Sequence, residues 1–403
     1  MQTVKAGNKR MIREINEAIV LDAIRTHGQI SRVDIAQQTG LSAPTVTGIT
    51  AALIDRTLIY EHSTGQSGGG RRPVLLALNG SAGYVIGVKV TETNVVAVLT
   101  DLEASVVQRR IRKLSGTSVE HVVAVLGKVV DDLRAKVPNA PLYGLGVGTA
   151  GVVDSVHGIV HHGTYAHWHD IPLGDLLEQR TQLPVVVDND VNALVVSEHW
   201  FGAGKGIANM LVVSLGRGIG LGMILDGRLY RGAYGGAGEF GHVKISRDTT
   251  SCECGATGCL EAVAADPAIA KAASEIVGRT VTNLEAAELA RSGNGAIVAV
   301  FDEAARHIGT ALANLVNVLN PELIVLAGEG THAADLIVPA LEQALAEHTF
   351  NGLLDTASVV VEPWDDEAWA RGAASLVLAE LFQPALRPEQ GSTRPSLNLA
   401  RTT

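Results

Sequence analysis

Four residues within a stretch of eighteen, His242, Cys252, Cys254 and Cys259, constrain this 403-residue chain more than any other feature. They include every cysteine in the sequence. One imidazole and three thiols are the donors of a closed tetrahedral zinc site. If all four hold one ion, the chain between 242 and 259 must double back until their donor atoms face a common point. With every coordination position filled by protein, the ion is structural: it pins a loop and activates no water. Three unrelated buried thiols are the bland alternative. Three cysteines, none before residue 252, exclude a disulfide scaffold.

At roughly 100–200 residues per domain, the length predicts two or three compact units. Apolar residues make up 46% and charged residues 18%, enough for a sizeable core and against bulk disorder. Few aromatics and 44 glycines suit an α/β chain with many tight turns. No uncharged apolar run reaches about 18 residues, and the N-terminus is polar, which disfavours a membrane span and a secretory signal. The net charge of -10 hides a division. Residues 1–80 carry nine Lys/Arg against six Asp/Glu, while the remainder carries 23 against 36. A basic head on an acidic body predicts one module that faces a polyanion and another that does not.

The head reads as a winged helix-turn-helix. Apolar residues at near-helical spacing predict a helix over 9–26. Ser31 with Asp34 predicts a capped second helix that ends at Gly40. Ser42 caps a third, with Pro44 in its first turn and Val46, Ile49, Thr50 and Leu53 inward. Two short helices joined by a glycine-containing turn form a helix-turn-helix. Its second helix would present Ser42, Ala43, Thr45 and Thr47 to a major groove. These offer hydroxyls and methyls but no Arg, so direct base readout is modest. Residues 58–61 and 74–78 predict a hairpin. Its tip, Gly68-Gly69-Gly70-Arg71-Arg72-Pro73, is a wing suited to phosphates or a narrow minor groove. A plain helical bundle with a solvated loop is the alternative.

Beyond residue 84 two similar α/β blocks follow one another. Strands are predicted at 84–90, 94–101, around Ile111 and at 142–147, with a helix over 119–137. The second block has strands at 211–215 and 221–225, the latter turning at Asp226-Gly227, and at 323–327 before Gly328-Glu329-Gly330. Two such halves fit a two-lobed protein with a ligand cleft.

These residues carry a family resemblance. Gly238-Glu239-Phe240-Gly241-His242, the Cys-x-Cys-Gly-x-x-Gly-Cys-x-Glu segment and Val187-Asp188-Asn189-Asp190-Val191-Asn192-Ala193 resemble the ROK family (repressor, open reading frame, kinase). Leu215-Gly216-Arg217-Gly218-Ile219-Gly220 and the Gly70-Arg71-Arg72-Pro73 wing also match. The similarity is to its DNA-binding branch, which includes repressors of xylose, glucose and N-acetylglucosamine genes. It implies an α/β chain in which an N-terminal winged helix-turn-helix, residues 1–80, precedes a two-lobed actin-like sugar-kinase fold, residues 81–383. Lobe one would take about 81–190 with 366–383, lobe two about 191–365, and 384–403 would form a flexible tail. The resemblance implies sugar ligands at Asn189, Asp190, Glu239, His242 and Glu261, Asp190 being the general base in kinases. Carboxylates and amides in fixed positions discriminate among hydroxyls. Capping or surface charge is the alternative for Asp190 and Glu239.

The family's kinase pattern then breaks. Where kinases carry Asp-x-Gly-Gly-Thr, Lys89 replaces the Asp and Thr91-Glu92 replaces Gly-Gly, leaving Thr93. Glycines there let backbone N–H groups approach phosphate, and Glu92 would repel it. Arg217 replaces the usual Thr of the second phosphate loop, a change that by itself decides little because an Arg can bind phosphate. The expected function is a cytoplasmic, sugar-responsive regulator, a repressor of carbohydrate genes with no enzymatic activity. Its partners would be operator DNA, a monosaccharide and a second copy in a homodimer or homotetramer. A sugar kinase with an added DNA-binding head, or a body that binds a regulatory protein, are the competing readings. The histidines at 157, 161, 162, 167 and 169 lack metal-ligand spacing and are expected on a loop at the cleft rim; the resemblance implies an aromatic near the sugar there, so Trp168 either stacks on sugar or simply packs.

Overall fold

The computed structural model describes residues 9–64, 73–163, 168–245 and 250–382. It divides into two compact units, the first running to Phe201 and taking up the chain again from Trp369, the second spanning Gly202–Ala368.

The first unit opens with α1 (Lys9–His27), β1 (Ile30–Ser31), α2 (Arg32–Thr39), α3 (Ala43–Asp55), β2 (Ile59–Thr64) and β3 (Val74–Leu78). The boundaries of α2 and the start of α3 have local causes. Ser31 Oγ accepts the Asp34 N–H at 3.2 Å, and Gly40 closes α2 in the left-handed conformation. Ser42 Oγ accepts the Thr45 N–H at 3.3 Å at the start of α3. Val20, Leu21 and Ile24 of α1 are buried, as are Ile35 of α2 and Val46 and Leu53 of α3, forming the small core. The strands form one antiparallel sheet in the order β1-β3-β2. Arg32 fastens α2 to the rest, donating to Thr50 Oγ1 at 3.0 Å and Glu61 Oε1 at 3.1 Å. This is a winged helix-turn-helix; the tip residues Arg71 and Arg72 lie outside the described residues.

The chain continues through β4 (Tyr84–Val90), β5 (Asn94–Asp101), β6 (Val106–Lys113), α4 (Val119–Arg134), β7 (Leu142–Thr149), β8 (Gly151–Asp154), β9 (Ile159–Gly163), β10 (His169–Ile171), α5 (Leu173–Thr181), β11 (Val185–Asn189) and α6 (Asp190–Phe201). Five strands make a sheet in the order β11-β7-β4-β5-β6. β4, β7 and β11 are parallel; β5 and β6 are antiparallel additions. Near-continuous Val and Ile in β4 and β5 suit strands covered on both faces.

The second unit repeats the plan. It holds β12 (Met210–Leu215), β13 (Ile219–Leu225), β14 (Arg228–Leu229), α7 (Leu260–Ala264), α8 (Asp266–Val277), α9 (Asn283–Arg291), α10 (Gly295–Leu319), β15 (Leu323–Ala327), α11 (Ala334–His348) and β16 (Ser358–Val361). Its sheet order is β14-β13-β12-β15-β16, with β12, β15 and β16 parallel. Asp226 and Gly227 both take positive φ in the β13–β14 turn, as a two-residue hairpin requires.

The last helix, α12 (Asp366–Phe382), returns to the first unit and lies flat on its sheet. Glycines permit the approach: a Cβ on Gly146 would stand 1.8 Å from the Ala373 carbonyl oxygen, and one on Gly87 2.0 Å from that of Ala370. Among the described residues no helix is long and apolar enough to cross a membrane.

Candidate metal centre and ligand site

His242, Cys252, Cys254 and Cys259 converge in the second unit, their donor atoms all within 4.8 Å of one another. The local chain explains how. Residues 243–245 run antiparallel to 258–260, closed by Leu260 N–H to Val243 O at 3.0 Å and Ile245 N–H to Gly258 O at 3.2 Å. A tight turn lies between, with Cys252 N–H donating to Ala256 O at 2.8 Å and Gly255 and Gly258 in positive φ. Cys252 Sγ lies 3.7 Å from His242 Nδ1, and Cys254 Sγ 3.8 Å from Cys259 Sγ. Zinc–sulfur bonds of about 2.3 Å in a tetrahedron set sulfurs about 3.8 Å apart, so the residues fit such an ion. Lys244 Nζ stands 3.0 Å from Cys259 Sγ, a further cation beside the thiols. Burial pushes the Cys252 thiol up to about 12, whereas the Ala256 N–H holds Cys254 below the usual thiol range. The two thiols thus differ: burial favours the protonated Cys252, and the backbone N–H favours the Cys254 thiolate.

His242 also faces outward. With Nδ1 toward Cys252, its Nε2 lies 3.8 Å from Glu239 Oε2, on the short 3-10 turn that follows Glu239. At that distance the carboxylate is a charge near the far nitrogen and makes no hydrogen bond to it. The two roles expected of His242 therefore use different atoms. Glu261 lies on α7, two residues after Cys259, and its Oε2 accepts the Ile219 N–H at 3.2 Å.

Asn189 and Asp190 sit in the first unit, where β11 ends and α6 begins. Asn189 Oδ1 accepts the N–H groups of Val191 at 2.8 Å and Asn192 at 3.3 Å, so it caps α6. Its Nδ2 donates to Gly151 O at 3.0 Å. Capping thus claims much of the Asn189 amide, while half-buried Asp190 stands at the positive end of the helix dipole. Asp188 is fully buried and holds the junction, accepting from Asn189 N–H and Asn192 Nδ2, both at 2.8 Å. Its role was readable from the Asp-Asn-Asp run at a strand-to-helix junction. At the carboxyl ends of β4 and β7 a small recess, with room for about one water, is lined by Val90, Thr91, Thr149, Ala150 and Trp168. Ligands of α/β sheets bind at such strand ends.

The histidine segment corrects the expectation of a loop. It forms a three-stranded antiparallel sheet, β10-β9-β8. His162 and His169 are a cross-strand pair with Nδ1 atoms 3.2 Å apart, and His161 Nδ1 lies 2.6 Å from Asp170. Trp168 turns inward, donating from Nε1 to Thr117 O at 2.9 Å, and packs in the core of the first unit. His167 lies outside the described residues.

On α3, Ser42, Ala43 and Thr47 are exposed and Thr45 is half-buried. The Ser42 and Thr45 hydroxyls pair at 2.8 Å, and Thr47 Oγ1 donates to Ala43 O at 2.8 Å. Thr47 thus spends its proton locally but keeps lone pairs that can accept from a base.

The ROK family profile matches residues 85–380, nearly three-quarters of the chain. The chain belongs to the ROK family. The xylose repressor of Caldicellulosiruptor bescii is 29% identical over 392 residues, covering 93% of this chain and 98% of the relative. A crystal structure of a ROK family transcriptional regulator, a homolog of the E. coli MLC protein, superposes with a TM-score of 0.81 at 27% identity, covering 91% of this chain and 96% of that one. A ROK family glucokinase from Streptomyces griseus, in complex with glucose and AMPPNP, has a TM-score of 0.64 at 28% identity. It covers 73% of this chain and 99% of its own, so this ROK chain carries a substantial extra segment.

Proposed function

We propose that this protein is a cytoplasmic, sugar-responsive transcriptional repressor of carbohydrate-utilisation genes. The observation that carries the reading is the likeness to a xylose repressor across 93% of the chain, head and body together. A monosaccharide is held through Asn189 and Asp190, with Glu239, His242 and Glu261 as the further ligands that the family pattern implies. Zinc, held by His242, Cys252, Cys254 and Cys259, supplies a structural clamp on the loop that carries His242 and positions α7 with Glu261. The DNA contacts come from Ser42, Ala43, Thr45 and Thr47 on α3 and from Arg71 and Arg72 on the wing. A two-fold operator requires at least a dimer.

Several features support a body that binds sugar without phosphorylating it. Lys89 replaces the kinase Asp, and its ammonium is buried 4.1 Å from the Trp369 ring centre. Thr91-Glu92-Thr93-Asn94 is a compact turn in which Thr91 Oγ1 takes the Asn94 N–H at 3.0 Å, with no glycine to admit phosphate. In the second phosphate loop, Glu329 Oε2 lies 2.6 Å from where a Cβ on Gly216 would stand, and Glu261 Oε2 2.7 Å from the same point on Gly218. Of these, Glu329 opposes a nucleotide's charge, with the Arg217 cation in the same loop acting the other way.

Sugar changes DNA affinity only if it binds the DNA-competent and incompetent states unequally. The test is the double substitution Arg71→Ala and Arg72→Ala, assayed on a duplex that the wild type selects from random-sequence DNA. Losing two phosphate contacts lowers the slope of log affinity against log salt by about 1.8 and weakens binding tenfold or more at low salt. Unchanged affinity and slope would remove the wing from the interface. An ADP-release assay with D-glucose and D-xylose is expected to show no turnover.

A further inference from the structure

The ligand pair at 189–190 and the DNA-reading head lie in one compact unit, and a continuous set of contacts joins them. α6 starts at Asp190 and ends at Phe201, and nine of its residues are buried. At 1.5 Å per residue it is about 18 Å long. Its near end is tied by Asp188 and Asn189. Its flank meets α12 at backbone contact: a Cβ on Gly372 would stand 3.0 Å from the Ala193 carbonyl oxygen. A helix so enclosed shifts as a rod, because close-packed surroundings leave no room to bend it locally.

The far end of the rod is held by the head. The Arg25 guanidinium lies 3.8 Å over the Trp200 ring, and its Nη1 donates to the Trp200 carbonyl at 3.1 Å. That carbonyl is in the last turn of α6, where it lacks an intrahelical partner and marks the negative end of the helix dipole. Asp22 aims the guanidinium, accepting from Nε at 3.1 Å and Nη2 at 2.7 Å. Trp200 is buried and packs against Phe382 of α12, ring centres 6.3 Å apart. From α1 the path continues: Glu17 accepts from Arg56, the residue that caps the C-terminus of α3.

We propose that Arg25 docked on Trp200 is the coupling contact through which ligand binding at Asn189–Asp190 moves the DNA-binding head. A ligand that draws on Asp190 displaces α6, the displacement reaches Arg25 at the other end, and α1 carries it through Glu17 and Arg56 to α3. Arg25 is thus a positioning residue that touches neither DNA nor ligand. The proposal rests on the sugar-responsive reading above, and the test separates the two.

The full chain is compared with Arg25→Ala and with Arg25→Gln, which keeps an amide donor and guards against a folding failure. Calorimetry measures binding of D-xylose, D-glucose and N-acetyl-D-glucosamine. Anisotropy measures affinity for the selected duplex with and without each sugar, and amide hydrogen exchange follows α1. Both variants are expected to bind sugar within about twofold of wild type and sugar-free duplex within about threefold. In wild type the active sugar changes duplex affinity at least about fivefold, the lower end of ordinary allosteric coupling. In the variants that change falls below about twofold, and the sugar-induced change in exchange stops at α6 without reaching α1. A wild-type response in both variants overturns the coupling role while leaving the sugar-responsive reading intact. A wild type whose duplex affinity ignores all three sugars overturns both. A merely structural Arg25 would lower stability and duplex affinity but leave the ratio with and without sugar unchanged, which also overturns the proposal.

Discussion

Replacing Cys259 by Ser is expected to empty the metal centre and lower the melting temperature of the protein by about 10 °C. Cys259 is fully buried and lies 3.8 Å from Cys254 Sγ, at the heart of the four-donor cluster. Oxygen in place of sulfur weakens a soft-donor site, and three donors cannot close the tetrahedron. An ion present at a thousand times its dissociation constant stabilises the native state by about 4 kcal/mol. For units of 150–250 residues each kcal/mol shifts melting by about 2–4 °C, which gives the figure above. Metal analysis of the purified chain should find one zinc per wild-type chain and less than a tenth in the variant. Treatment of wild type with a strong chelator should reproduce the destabilisation. Wild type that melts identically with and without chelator would mean that the four side chains are neighbours without an ion.

The second large effect is expected from Asp190→Ala, and it should fall on binding rather than on folding. Asp190 is half-buried at the first turn of α6, so its loss removes a favourable helix-end charge of about 0.3–1 kcal/mol. A carboxylate that accepts two sugar hydroxyls contributes about 1.5–3 kcal/mol per bond, so sugar affinity should fall about a hundredfold or more. Thermal melting reads both quantities at once. Sugar raises the wild-type melting temperature by mass action, while the variant melts near the ligand-free wild type and does not respond. Asp188→Ala is the informative contrast. Asp188 is fully buried and hydrogen-bonded to Asn189 and Asn192, so its loss should unfold the junction whatever the ligand. A sugar shift that persists in Asp190→Ala would place the sugar elsewhere.

Much of the architecture was legible because its causes are local. Ser31, Ser42 and Gly40 announce helix ends through side-chain caps and a left-handed turn, and all three act where expected. The four side chains of the cluster lie within eighteen residues, so their meeting was legible from spacing. The repeated strand order of the two units follows from apolar runs of strand length. What escaped depends on distant or unusual partners. β9 and β10 lack a run of alternating apolar residues, since His161, His162 and His169 interrupt it, so their sequence carries no strand signal. The fit of α12 on the sheet rests on Gly87 and Gly146 meeting carbonyls more than 200 residues away in sequence. Arg25 and Trp200 are 175 residues apart, and no periodicity links them. The two carboxylates over the second phosphate loop, Glu261 and Glu329, come from separate elements of the second unit. In the His242–Cys259 cluster, spacing pointed to the four side chains but not to Lys244 beside Cys259 or to the orientation of His242.

A sugar-responsive repressor must change its grip on DNA when sugar binds. The direct measurement is anisotropy of a fluorescent duplex selected by the full-length protein, titrated at fixed salt with and without D-xylose, D-glucose and N-acetyl-D-glucosamine. One of these sugars should change the dissociation constant at least about fivefold, in either direction, and the change should vanish in Asp190→Ala. A chain that selects no duplex, or binds its duplex with the same constant whatever the sugar, would contradict the account.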